Sequence, residues 1–292
     1  MRRPRLLDDV VEEWTLVLDG DVLDRRASVV VPVRTRDGAA AVLKISSPSP
    51  ENEHEHLALQ RWGGDGAVRL LRADPHRRAL LLERASTTDL TSLGYLEAAE
   101  VAAAAYARLH VPALPQLRTI TAYVGRSTDA LAALPRDAPI PRRLVEQALS
   151  HARDLATGPA TGPASTGRLV HGDLHDHHLL RSHPGESDSW LAIDPQPMSG
   201  DPHWEPAALL WSRWDEVVAR GRIRADVHER FLTVVDAAGL DEDRARAWVV
   251  LRLVLGAYSS IEEAARQDRP LTGDESDWIT RCITIMKAVD PS

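Results

Sequence analysis

Short apolar, β-rich runs separated by polar turn residues are concentrated in the first third of this chain. In "SVVVPVRTRDGAAAVLKI" two β-rich runs, Ser28–Arg34 and Ala39–Ile45, flank Asp37-Gly38, a pair suited to the positive φ of a hairpin turn. "AVRLLRADPHRRALLLERA" predicts two further strands, Val68–Ala73 and Ala79–Glu83, around an Asp74-Pro75 turn. Between the two pairs, "SPSPENEHEHLALQRWGG" offers Pro50 for a first helical turn and Gly63-Gly64 for its end. After Ala85 the apolar spacing lengthens to the helical period. It predicts helices over Tyr95–His110, Arg142–Leu155, Pro206–Arg220, Ala225–Ala238, Asp241–Arg266 and Asp274–Val289. "TGPATGPASTG", Thr157–Gly167, breaks both regular structures and predicts a mobile loop. The pattern is α+β, with a small β-rich part over residues 1–85 and a larger, mainly helical part over residues 86–292.

Composition narrows the class. With 43% hydrophobic residues in 292, the chain can bury one large domain or two lobes with a shared core. Its 35 basic and 43 acidic residues leave a net charge of −8, which argues against general nucleic-acid binding and suits a small cationic partner. Cys282 is the single cysteine, so neither a disulfide framework nor a cysteine-based zinc site can form. No apolar run approaches the roughly 20 residues of a membrane span. "MRRPRLLDDVVEEW" is too acidic after Leu7 for a signal peptide, and a cytoplasmic protein is expected. Oligomeric state is not readable from the pattern.

Lys44 is the first residue with chemistry attached. It sits inside a predicted strand between Leu43 and Ile45, where a partly buried ammonium needs an anionic partner. On the following helix Glu55, Leu59 and Trp62 fall at i, i+4 and i+7, which turns Glu55 toward the sheet. Snorkelling of Lys44 to solvent is the plain alternative. A strand lysine paired with a helix glutamate is the arrangement that positions nucleotide phosphates in kinases. Farther on, "RLVHGDLHDHHLL" places Asp173 just after a short apolar strand, and "WLAID" ends a second one in Asp194, 21 positions later. Phosphoryl transfer needs one carboxylate to orient the attacking hydroxyl and one to hold a metal against the phosphates. The order Lys44, Glu55, Asp173, Asp194 is more specific than any one of its members.

"VLK", "EHLALQRW", "GAVRLLRADPHRRALLLERA", "HGDLH" and "AIDPQPMSGDPHWEPAALLW" together resemble the aminoglycoside and hydroxyurea antibiotic-resistance kinases over nearly the whole chain. The resemblance implies a two-lobed protein-kinase-like fold, with a nucleotide-binding lobe over 1–85 and a catalytic, substrate-binding lobe over 86–292. It implies ATP as donor with Mg2+, and the nitrogen of His178 adds Mn2+ as an alternative ion. Asp173 is then the catalytic base, Asp194 the metal ligand, and Lys44 the phosphate-contacting lysine held by Glu55. The adenine would meet the segment Leu82–Ala85, including Glu83 and Ala85. The acceptor would be a small hydroxylated, cationic molecule, an aminoglycoside such as streptomycin, with hydroxyurea or another natural product as alternatives. His171 and His175 would brace the loop through hydrogen bonds.

Two positions depart from the family pattern. His178 stands where the family has a metal-binding asparagine, and an imidazole nitrogen suits softer ions better than magnesium. The phosphate-covering loop, normally glycine-rich, reads "LDRRAS" with no glycine, so Arg25, Arg26 or Ser28 would have to contact phosphate. A catalytically inactive kinase-like binding protein therefore stays open beside a selective kinase. His175, His177 and His178 beside Asp173 and Asp176 also form a ligand set for a metallohydrolase, but no HExxH motif or second histidine cluster accompanies them. Asp201 with Pro202 reads as a helix cap. Trp204, Trp211 and Trp214 fit a buried stripe better than a substrate platform, although a cationic acceptor could draw on Trp204 and Glu205.

Overall fold

The computed structural model describes residues 5–25, 27–157, 167–183 and 189–290. The first elements are α1 (Arg5–Glu13), β1 (Val17–Leu18), β2 (Leu23–Arg25), β3 (Ser28–Arg34), β4 (Ala40–Ser46), α2 (Glu55–Trp62), β5 (Leu70–Asp74) and β6 (Ala79–Glu83). Then come α3 (Tyr95–Leu109), α4 (Ile120–Ala132), α5 (Arg142–Thr157), β7 (Arg168–Val170), β8 (Leu179–Arg181), β9 (Trp190–Ala192) and β10 (Met198–Gly200). The rest is helical: α6 (Pro206–Trp211), α7 (Trp214–Ala219), α8 (Ile223–Ala238), α9 (Glu242–Arg266) and α10 (Gly273–Val289). Contacts gather these into two units, Met1–Asp89 with His177–Pro197, and Leu90–Asp176 with Met198–Ser292.

The first unit is an antiparallel sheet ordered β1-β3-β4-β6-β5, with β2 also paired to β3. Gly38, at φ 85, turns the β3–β4 hairpin as its Asp-Gly pair predicts. Period-two geometry sends Val31, Val33, Ala41, Leu43 and Ile45 to one face, where Leu7 and Val10 of α1, with Trp14 just after it, close a core. Lys44 therefore emerges on the other face, paired in register with Val30 and Leu80. α2 starts at Glu55 and not near Pro50. Local side-chain bonds occupy the stretch before it, Glu51 N–H to Ser49 Oγ (3.1 Å) and Asn52 Nδ2 to Ser47 O (2.9 Å), which compete with helix formation. Gly63 ends α2 in the left-handed region at φ 61. The β8–β9 ladder, Leu179 opposite Ala192, completes the unit.

The second unit is built around α9, whose middle, Trp248–Leu255, is buried almost all round, as a central helix must be. α5 and α10 pack on it, and α3 packs on α8. α4 is a helix that the apolar spacing did not predict: Ile120 and Val124 face the core, and Thr119 caps the first turn by accepting from Ala122 N–H at 3.1 Å. The single helix expected over Pro206–Arg220 is broken into α6 and α7. Ser212 is extended and Arg213 left-handed at φ 53, which lets Arg213 donate to Glu216 Oε2 (2.7 Å) and Leu93 O (3.1 Å). β7 and β10 pair antiparallel, Val170 opposite Met198. The loop expected at 157–167 falls, for residues 158–166, outside the described residues. Among the described residues no helix is long and apolar enough to cross a membrane.

Candidate active site

In the first unit, β4 holds Lys44 and the sheet-facing side of α2 holds Glu55, both buried. Lys44 Nζ donates to Glu55 Oε1 and Oε2 at 2.6 and 2.7 Å, and to Asp194 Oδ1 at 2.5 Å. Burial by itself favours the neutral amine, but the charges of Glu55 and Asp194 outweigh it and hold the Lys44 ammonium above its ordinary range. Asp194 follows β9 and sits in the left-handed region at φ 56. Its carboxylate is 49% exposed, the only half-open group of the three. The β8–β9 ladder, with the Ile193 N–H to His178 O bond (3.0 Å), brings His178 Nε2 to 3.7 Å from Asp194 Oδ2. One charged cluster thus holds Lys44, Glu55, Asp194 and His178. Ser28 and Glu83 lie toward the sheet's ends, opposite Ser46 and Ala41. Ala85 follows β6, and its neighbour Arg84 is tied to the sheet by bonds to Ala41 O (3.1 Å), Val33 O (2.5 Å) and Asp19 Oδ2 (2.7 Å). Arg26 lies outside the described residues. His177 Nδ1 lies 2.7 Å from a carboxylate oxygen of Asp89.

In the second unit β7 delivers His171, Gly172 and Asp173 as a tight loop, with Gly172 at φ 82. The Asp173 N–H donates to His171 Nδ1 at 3.3 Å, and His175 Nε2 lies 3.9 Å from Asp173 Oδ2. His171 therefore braces the loop by a hydrogen bond, whereas His175 Nε2 stands beside the Asp173 carboxylate beyond hydrogen-bond distance. Glu205 is fully buried: Oε1 accepts from His171 N–H at 2.6 Å and Oε2 from Gly172 N–H at 3.2 Å. Burial would raise its pKa, but His110 at 3.6 Å, with His171 and Arg252, holds the carboxyl below the ordinary range. Trp204 is also buried, packed edge-on against Tyr123 and Trp248 at centroid distances of 5.9 and 5.7 Å. The structure thus gives the two residues considered for acceptor contact other work: Glu205 binds backbone amides and Trp204 fills the core. Asp201 caps the turn before α6 as expected, accepting from His203 N–H at 3.1 Å. It also takes bonds from Arg244 Nε (2.6 Å) and Trp248 Nε1 (2.7 Å).

A family model described as aminoglycoside/hydroxyurea antibiotic resistance kinase matches residues 13–264. The chain belongs to this family. It is 37% identical to a streptomycin 6-kinase of Streptomyces glaucescens over 270 residues, covering 90% of this chain and 84% of that protein. A hydroxyurea phosphotransferase of Kitasatospora aureofaciens is 34% identical over 266 residues, 89% of this chain and 74% of that one. Among solved structures, a choline kinase from Streptococcus pneumoniae superposes with a TM-score of 0.63 at 15% identity, covering 99% of both chains. The fold is the protein-kinase-like α+β fold.

Two buried arginines of this kinase escaped the sequence reading. Arg230 of α8 donates to both oxygens of Asp176 at 2.9 Å, with its guanidinium carbon 4.2 Å from the Tyr95 ring centroid. Arg252 of α9 donates to Gly172 O and, at 3.0 Å, to Trp204 O. A signal existed: "VVLRLVL" sets Arg252 in the middle of an aliphatic run, where a charge must be either misplaced or paired inside the core.

Proposed function

We propose that the chain transfers the γ-phosphoryl group of ATP to a hydroxyl of an aminoglycoside such as streptomycin. The observation that carries this reading is the Lys44 ammonium shared by Glu55 and Asp194, in a chain 37% identical to a streptomycin 6-kinase. Lys44, kept protonated and aimed by Glu55, would meet triphosphate oxygens, with residues 1–85 as the nucleotide-binding lobe, Ser28 near the phosphates, and Glu83 to Ala85 at the adenine. Asp173 would accept the proton of the attacking hydroxyl, in a loop whose amides are immobilised by Glu205 and His171. A cytoplasmic site of action follows from the use of ATP.

A divalent cation fits part of the donor set. Asp194 offers a half-open hard oxygen of the kind Mg2+ takes, whereas the His178 nitrogen nearby suits Mn2+ better. When bound, such an ion offsets charge on the phosphate oxygens. Identity of 34% to a hydroxyurea phosphotransferase supports hydroxyurea as the second acceptor to test. The experiment is mass spectrometry of streptomycin and of hydroxyurea after incubation with the protein, ATP and Mg2+ or Mn2+. The gain of one phosphoryl group on streptomycin is expected. Gain on hydroxyurea alone would move the acceptor assignment, and no gain on either, with intact nucleotide binding, would favour a kinase-like binding protein.

A further inference from the structure

The peptide that precedes Asp173 is gripped from the core by one side chain that no motif marks. Arg252 projects from the middle of α9, and its guanidinium is wedged between the rings of Trp204 and Trp211, 4.8 and 4.7 Å from their centroids. One arm donates to the carbonyl of Gly172, the other to the carbonyl of Trp204. The Gly172–Asp173 peptide is thereby held at both ends, since its N–H donates to His171 Nδ1. The preceding peptide is held too, its N–H on Glu205. Glycine at φ 82 has little conformational preference of its own, so without these anchors the peptide could rotate and swing the Asp173 carboxylate.

We infer that Arg252 is a positioning residue for phosphoryl transfer: its fork fixes the Gly172 carbonyl, and through that peptide the direction of Asp173. Its two tryptophan neighbours serve as a rigid slot for the guanidinium, which explains why an aromatic cluster lies directly behind the loop. Burial of the Arg252 charge, which lowers its pKa, is partly offset by the carboxylates of Asp173 and Glu205. A planar fork reaching two carbonyls is something lysine cannot reproduce, as a single ammonium can satisfy one of them. The inference rests on the reading of Asp173 as the base.

The test compares the full-length protein with Arg252→Met, Arg252→Lys, Asp173→Asn and the Asp173→Asn/Arg252→Met double variant, using streptomycin and ATP with Mg2+. Methionine fills the slot between the two rings and removes both donors. We expect Arg252→Met to lower kcat by about 100-fold, the scale of an ångström-level misplacement. The KM for streptomycin and the ATP dissociation constant should stay within about threefold, and Arg252→Lys should recover part of the rate. In the Asp173→Asn background the Arg252→Met change should add almost nothing, because Arg252 acts through that carboxylate. A merely structural arginine would lower the melting temperature and multiply with Asp173→Asn instead. Near-normal kcat in Arg252→Met, or independent effects in the double variant, overturns the positioning role. Near-normal kcat in Asp173→Asn overturns the base reading beneath it, and an inactive wild type overturns the streptomycin kinase reading. If Arg252→Met loses its melting transition, Arg252→Lys alone and with Asp173→Asn takes its place, with the same two refuting outcomes.

Discussion

Removing the charge of Glu55 while keeping its shape tests what holds the Lys44 cluster together. Glu55→Gln leaves one carbonyl to accept from Lys44 Nζ but turns an amide NH2 toward the ammonium in place of the second oxygen, both contacts being 2.6–2.7 Å in the native pair. Breaking a buried ion pair by deleting one partner costs about 3–5 kcal/mol. Here Asp194 remains 2.5 Å from the ammonium, so part of that loss is recovered and about 2 kcal/mol is expected. For a chain of this size that is a fall of roughly 4–8 °C in Tm. Lys44→Met is harsher, because Glu55 stays buried with no cation, and should cost about 3–5 kcal/mol. The Lys44→Met/Glu55→Leu pair removes both charges together and should return to within about 1 kcal/mol of the native protein. Thermal and urea denaturation of the ligand-free variants give the series, and ATP titration should show weaker binding in Glu55→Gln by about tenfold. A double variant that loses the sum of the two single losses, or a Glu55→Gln protein as destabilised as Lys44→Met, would refute the argument.

Three further predictions concern the base, the metal and the acid limb of stability. Asp173→Asn should lower kcat by about 1,000-fold or more with ATP affinity unchanged within about twofold, because the carboxylate acts on the acceptor hydroxyl; isothermal titration and steady-state kinetics check both, and near-normal turnover would refute it. His178→Asn should shift the ratio of Mn2+- to Mg2+-supported ADP release toward Mg2+, as an oxygen donor replaces nitrogen; an unchanged ratio removes His178 from the metal's surroundings. Glu275, bonded to Arg269 at 2.7 and 2.8 Å and capping α10 through Thr272, has its carboxyl lowered from 4.5 to about 2, first by the Arg269 bond and then by the Thr272 amide. Since its folded pKa is depressed, its stabilisation is complete above about pH 4.5 and fades as pH falls toward 2, so the urea midpoints of the native protein and Glu275→Gln should converge over that window. A gap that stays constant across it would contradict the assignment.

Local pattern carried most of the secondary structure and one half of the charged cluster. Short β-rich apolar runs bounded by turn residues placed β3 and β6 at their observed limits, and the i, i+4, i+7 stripe turned Glu55 toward Lys44 because both signals are generated within a few residues. The sequence by itself also determined the order of the chemistry-bearing residues. Tertiary structure alone decided how they are held. Asp194 reaches Lys44 from 150 positions away, and the His171–Gly172–Asp173 loop is clamped by Glu205 and Arg252, 33 and 80 positions beyond Gly172. The helix break at Ser212 and Arg213 is likewise partly a long-range decision, since the left-handed Arg213 reaches Leu93 O, 120 positions away, as well as its neighbour Glu216. Periodicity reports only which face of an element is apolar. A buried charge inside an apolar run, such as Arg252 in "VVLRLVL", takes its meaning from the carbonyls and rings that distant segments bring to it.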